Sequence, residues 1–201
     1  AGGGAGATPP LTTVKQHVVQ IKRQQAEYVQ QESGTTVAAV PAGEADPGGG
    51  QVRSSLDPGD WIALNRPYNL QNGDKKITFR FGGGSATNPA GADRAAVEIR
   101  TGSATGPIVQ TVTLKSTGNV NNNTFTSQTF DLDYSGTQRL FFVFRAVTAA
   151  GAPANGFGNL NWIEFSGKGV GLSPDFFPTV PTTVGGNVPA TLALTLGTPG
   201  S

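Results

Sequence analysis

Short runs in which apolar and polar residues alternate constrain this chain more than any other feature. Lys76-Ile77-Thr78-Phe79-Arg80-Phe81 is the cleanest, and Gly59-Asp60-Trp61-Ile62-Ala63-Leu64 and Asn159-Leu160-Asn161-Trp162-Ile163-Glu164-Phe165 frame the rest. A period of two puts every second side chain on one face of an extended strand, whereas a helix would need apolar residues at three- and four-residue intervals. Similar runs recur at Thr35–Val40, Val52–Leu56, Ala95–Thr101, Ile108–Leu114, Phe125–Leu132 and Leu140–Val147. Glycine and proline, 29 and 14 in number, punctuate them, as in Asp57-Pro58-Gly59-Asp60. Many short strands with turns between them, and no helical segments interleaved, predict an all-β sandwich rather than a parallel α/β sheet.

The ends read differently. Residues 1–13 show no periodicity and are expected to be a flexible lead-in. From Val14 to Gln31 the Gln/Lys/Arg richness suits an exposed helix, but the alternation around Val19 and Ile21 favours a strand. The sandwich is therefore expected over 14–167. Residues 168–201 read as an extended linker, with Phe176 and Phe177 between prolines, followed by an orphan strand carrying Leu192, Leu194 and Leu196 on one side. Such an apolar strand edge invites pairing with a protein partner or with the body of its own domain.

Composition removes several function classes. A net charge of +1 with both signs interspersed gives no electrostatic case for nucleic acid. No segment approaches the roughly 18–20 apolar residues of a membrane span. There is no cysteine and one histidine, His17, so thiolate chemistry, cysteine-based metal sites and multi-histidine sites are out of reach. No nucleophile motif surrounds His17, and Asp57 and Asp60 read as turn formers rather than a catalytic pair. The chain starts Ala-Gly-Gly-Gly and lacks methionine, which leads us to expect a piece processed from a longer product.

The stretch from about Gln24 to Phe165 resembles a family 6 carbohydrate-binding module, close to versions appended to secreted bacterial sugar dehydrogenases. The pieces that carry the resemblance are Gln25-Ala26-Glu27, Gly59-Asp60-Trp61-Ile62, Val97-Glu98-Ile99-Arg100 and Thr105-Gly106-Pro107. Val109 to Leu114, Ser116-Thr117-Gly118, Leu140 to Phe144 and Asn159-Leu160-Asn161-Trp162 complete the set. The resemblance implies a non-catalytic, jelly-roll-like sandwich in an extracytoplasmic setting. It also implies a structural calcium held by Gln25, Glu27 and Asn161, though that set holds one carboxylate and calcium prefers several charged oxygens. For an oligosaccharide it implies a sugar ring sandwiched between two stacking aromatics, with Asn159 bonding its hydroxyls. Here Ser55 stands at the first aromatic position, and Asn119 to Asn123 occupy the second.

Two functions follow as expectations. The first is a structural or docking module whose sugar platforms are lost and whose tails engage a protein partner through Phe176, Phe177, Leu192, Leu194 and Leu196. The alternative is a carbohydrate-binding accessory module of a secreted sugar-active enzyme. For the core we expect Trp61, Ile62, Phe79, Phe81, Val97, Ile99, Phe142, Phe144, Trp162 and Phe165. On that reading both tryptophans pack inside rather than serve as sugar platforms.

Overall fold

The computed structural model describes residues 22–46, 49–68, 70, 75–118 and 124–167. The expected lead-in and the tail, with Phe176, Phe177 and the three leucines, lie outside them, as do Val14 to Ile21 of the Val14–Gln31 stretch and Asn119 to Asn123.

Among the described residues the alternating runs become eleven strands: β1 (Arg23–Gln25), β2 (Gln31–Ser33), β3 (Thr36–Ala39), β4 (Gln51–Ser54), β5 (Trp61–Ala63), β6 (Lys75–Gly82), β7 (Asp93–Thr101), β8 (Ile108–Lys115), β9 (Thr126–Asp131), β10 (Leu140–Arg145) and β11 (Asn159–Gly167). Two antiparallel sheets form. One runs β3-β4-β11-β6-β9, with β1 also paired to β11, and the other runs β2-β5-β10-β7-β8. Successive strands change sheet at every step except the β3–β4 and β7–β8 hairpins. That is the sandwich expected from the sequence. At the N-terminal end the extended run stops early. β1 has three residues, and Ala26–Tyr28 turns as a single 3-10 helix instead of continuing the strand.

Between the sheets lies one apolar core. Phe79, Phe81, Ile163 and Phe165 face Ile62, Val97, Ile99, Phe142 and Phe144, with Phe157 closing one end. The ring of Phe79 meets that of Phe142 edge-on at 5.7 Å. Cross-strand register shows why the alternation works: Ile62 stands opposite Phe142, and Phe142 opposite Ile99, all pointing inward.

The same register corrects the expectation for the tryptophans. Trp61, Val143 and Glu98 form the next row along, so Trp61 points out of the sandwich. Strand parity decides this, because Ile62 and Leu64 occupy the inward positions of β5. On β11 the register shifts between Leu160 and Trp162. That bulge lets Leu160 and Ile163 both reach the core and turns Trp162 outward. The remaining eight expected core residues all pack inside.

Candidate functional site

Three places gather polar side chains or aromatic surface. The first is the outer face of the six-stranded sheet, where β4 gives way to β1 as the neighbour of β11. Leu160 pairs with Arg53 of β4, and Trp162 pairs with Gln25 of β1. Asn161 sits at the bulge between them, fully buried. A bulge re-aims a side chain at the point where a strand changes partner. Here it aims an amide under the loop that joins β3 to β4.

That loop supplies Glu44 and Asp46. Arg80 holds Glu44 by two hydrogen bonds of 2.6 Å each, and the Glu44 side chain is 4% exposed. Asn161 Nδ2 donates to Glu44 Oε1 at 3.2 Å, which fixes the amide and turns Oδ1 the other way. Gln25 Nε2 donates to Asp46 Oδ1 at 3.0 Å. Glu27, on the 3-10 turn, is 9% exposed, and both of its carboxylate oxygens are buried without a hydrogen-bond partner. Asp46 Oδ2 and Asn161 Oδ1 share that condition.

Burial raises the Glu27 carboxyl above its ordinary range, and the charge of Asp46 adds to the rise. The backbone amides of Glu27 and Gln51 and the charge of Arg53 oppose it without forming a good hydrogen bond to the carboxylate. Arg53 donates from Nε to the Ala26 carbonyl and from Nη2 to the Glu27 carbonyl, at 3.2 and 3.1 Å.

The chemistry of this cluster fits a hard divalent cation. Its donors are all oxygens, from two carboxylates and two amides, and buried oxygen acceptors without donors are costly unless something positive meets them. Among the described residues no three Asp, Glu, His or Cys side chains gather as a metal group. Of the three residues expected from the resemblance, Gln25 pairs with Trp162 beside Asn161, and Glu27 follows two positions on, in the 3-10 turn. Asp46 joins them, and the sequence reading missed it because its loop looks like any Gly/Pro-rich turn.

The second place is the loop end that carries Asn159. This residue opens β11, half-buried, opposite Gly82. The backbones beside it touch: a Cβ on Gly83 would lie 2.2 Å from the Phe157 carbonyl, and one on Gly158 2.2 Å from that of Gly82. Arg94, nearly buried, ties the neighbouring turn by donating to the carbonyls of Phe157 and Gly156. Ser55 is exposed in a left-handed backbone (φ 56°), 3.1 Å from the Thr36 hydroxyl. Phe157 is fully buried and offers no flat surface here.

The third place is the outer face of the five-stranded sheet. Trp61 is half-buried, with its ring 5.6 Å from that of Phe141 at a 52° tilt. Across two strands in the same row stands Glu98, about 10 Å away at the usual strand spacing. Arg100 donates to Glu98 at 2.8 and 3.0 Å, and Arg145 donates at 3.0 Å. Burial raises the Glu98 carboxyl, but these two guanidiniums outweigh it and hold the group below its ordinary value. Trp162, by contrast, is 8% exposed and capped by the Arg23 guanidinium 4.0 Å above its ring. Asp57 and Asp60 behave as turn formers: the Asp57 amide donates to Asp60 Oδ2 at 2.8 Å.

Comparison with known proteins gives one consistent answer. The family model described as carbohydrate binding module (family 6) matches residues 25–167. A β-1,3-glucan-binding family 6 module from Bacillus halodurans is 26% identical with a TM-score of 0.51, over 71% of this chain and 93% of its own. A family 6 module from Clostridium cellulolyticum, solved with xylose, is 23% identical with a TM-score of 0.52, over 72% of this chain and 95% of its own. A family 43 arabinoxylan arabinofuranohydrolase from Bacillus subtilis, solved with cellotetraose, is 22% identical with a TM-score of 0.56, over 73% of this chain and 27% of its own. No curated protein matches the sequence.

Proposed function

This chain belongs to the family 6 carbohydrate-binding modules, and from that premise we propose that it holds a β-linked oligosaccharide against Trp61 on the outer face of its five-stranded sheet. Modules of this family bind and do not cleave, so no catalytic residue is assigned. The observation that carries the reading is that Trp61 leaves the core. Strand parity spends a large aromatic on an outer face, where it remains partly open to solvent. Pyranose rings bury their C–H faces on flat aromatic surface, and fixed polar groups then set orientation through the hydroxyls. Glu98, locked between two arginines, supplies a fixed acceptor with donors on either side, within the span of a disaccharide.

Asn159 is the lesser candidate. Without an aromatic at Ser55 it offers hydrogen bonds but no stacking surface, so its contribution is expected to be small. Calcium, held by Gln25, Glu27 and Asn161, would neutralise buried carboxylate charge and fasten β1 to β11. Its role is structural. We place the module in an extracytoplasmic, sugar-active protein; the arabinofuranohydrolase relative, a glycoside hydrolase, supports the sugar-active part. The docking reading rests on residues 170–201 by sequence alone, and the family match supports the binding reading better.

Calorimetry of the whole chain against cello-, xylo- and laminari-oligosaccharides tests the proposal. With one platform the expected Kd is about millimolar, lost in Trp61→Ala and changed less than about threefold in Asn159→Ala. Binding lost in Asn159→Ala but kept in Trp61→Ala would move the site to the loop end. No binding to any of the sugars would overturn the carbohydrate reading and leave tail docking.

A further inference from the structure

The carboxylate that Asn161 does not provide is supplied from elsewhere in the chain: we propose that Asp46, on the loop between β3 and β4, is a direct calcium ligand, so that the cation ties this loop to the strand frame. The inference rests on the calcium reading above and adds a ligand from a separate stretch of sequence.

Charge is the first argument. Three carboxylates approach the cluster, and one of them, Glu44, is consumed by the paired hydrogen bonds of Arg80. Glu27 and Asp46 remain, two negative charges, and both Glu27 oxygens and Asp46 Oδ2 are buried without a hydrogen-bond partner. Arg53 is nearby, but its Nε and Nη2 donate to the carbonyls of Ala26 and Glu27 rather than to a carboxylate. A divalent cation is the species whose charge and hardness match two carboxylates and amide oxygens.

Geometry is the second argument. Glu44 stands against position 161 and accepts the Asn161 Nδ2 hydrogen bond. A carboxylate at 161 would face the Glu44 carboxylate and repel it, whereas the amide donates to Glu44 and keeps Oδ1 for the cation. Asn161 and Asp46 are therefore two halves of one arrangement. The amide satisfies Glu44, and the negative charge enters from the loop, where Gln25 Nε2 already orients Asp46 through Oδ1 and leaves Oδ2 buried. Asn161 at 0% exposure and Glu27 at 9% make this a built site rather than a surface acidic patch.

The test uses terbium as the probe, because Trp162 follows Asn161 directly and pairs with Gln25, close enough to sensitise a bound lanthanide. In the full chain, excitation of tryptophan should give terbium emission that calcium competes away. Trp162→Phe should remove that emission, and Trp61→Phe should not. Glu27→Gln and Asp46→Asn should each weaken calcium binding by about tenfold or more, since charge count sets affinity at such sites. Asp131→Asn, on an exposed ion pair with Lys76, should leave it unchanged. Far-UV and near-UV circular dichroism establishes that the variants are folded. If Asp46→Asn binds calcium as the parent does while Glu27→Gln does not, the role of Asp46 is overturned and the calcium reading stands. If the parent shows no competable emission, or Glu27→Gln binds as the parent does, both fall together.

Discussion

The two outer faces of the sandwich make an informative pair, because each carries one of the chain's two tryptophans and treats it differently. On the six-stranded sheet Trp162 lies under the Arg23 guanidinium, beside a buried cluster covered by Glu44 and Asp46 of the β3–β4 loop. On the five-stranded sheet Trp61 leans on Phe141 and keeps part of its ring in solvent. One outer face has been sealed and turned into structure, while the other presents aromatic surface flanked by fixed charges. An outward tryptophan is thus not in itself a binding platform. What covers it decides its role.

The largest effect expected from this contrast is on stability. Trp162→Ala should cost about 3 kcal/mol in denaturant melts, near the range for a buried aromatic, because it removes packing and the stacking of the Arg23 guanidinium on the ring. Trp61→Ala should cost under about 1 kcal/mol, as a half-exposed substitution does. Equal losses would erase the distinction between the faces.

A smaller effect belongs to Glu98. Its carboxyl is held below the ordinary value of 4.5, so its ionised form adds stability above that pH, and the contribution fades as pH falls through the depressed value. Glu98→Gln should therefore be less stable than the parent by about 1 kcal/mol at neutral pH, with the gap closing in acid. Denaturant melts of both proteins from pH 7 to pH 3 measure it. A gap that stays constant would mean that the two arginines do not stabilise the charged form.

Much of the fold was legible because strand alternation is local. Ile77, Phe79 and Phe81 announce an inward face within six residues, and eight of the ten expected core residues are found there. The two misplaced ones fail for separate physical reasons. In β5 both faces are apolar, so Trp61 and Ile62 compete for the core, and the sequence holds no local information about which wins. In β11 the parity itself was a warning. Leu160 and Ile163 are three apart and cannot share a strand face without a bulge, and that bulge turns Trp162 out and buries Asn161. The cluster was half legible. Gln25, Glu27 and Asn161 are named by the family resemblance, but Glu44 meets Asn161 across 117 positions. A Gly/Pro-rich loop gives no sign of the surface onto which it folds.

The division of the two faces is tested most directly by following amide and indole N–H signals of the 15N-labelled full chain as an oligosaccharide is added. The largest shifts are expected at the Trp61 indole and at amides around Ile62, Val143 and Glu98, with the Trp162 indole unmoved. Shifts centred on Gly82, Gly158 and Asn159, with the Trp61 indole unmoved, would contradict the assignment of sugar binding to the five-stranded sheet.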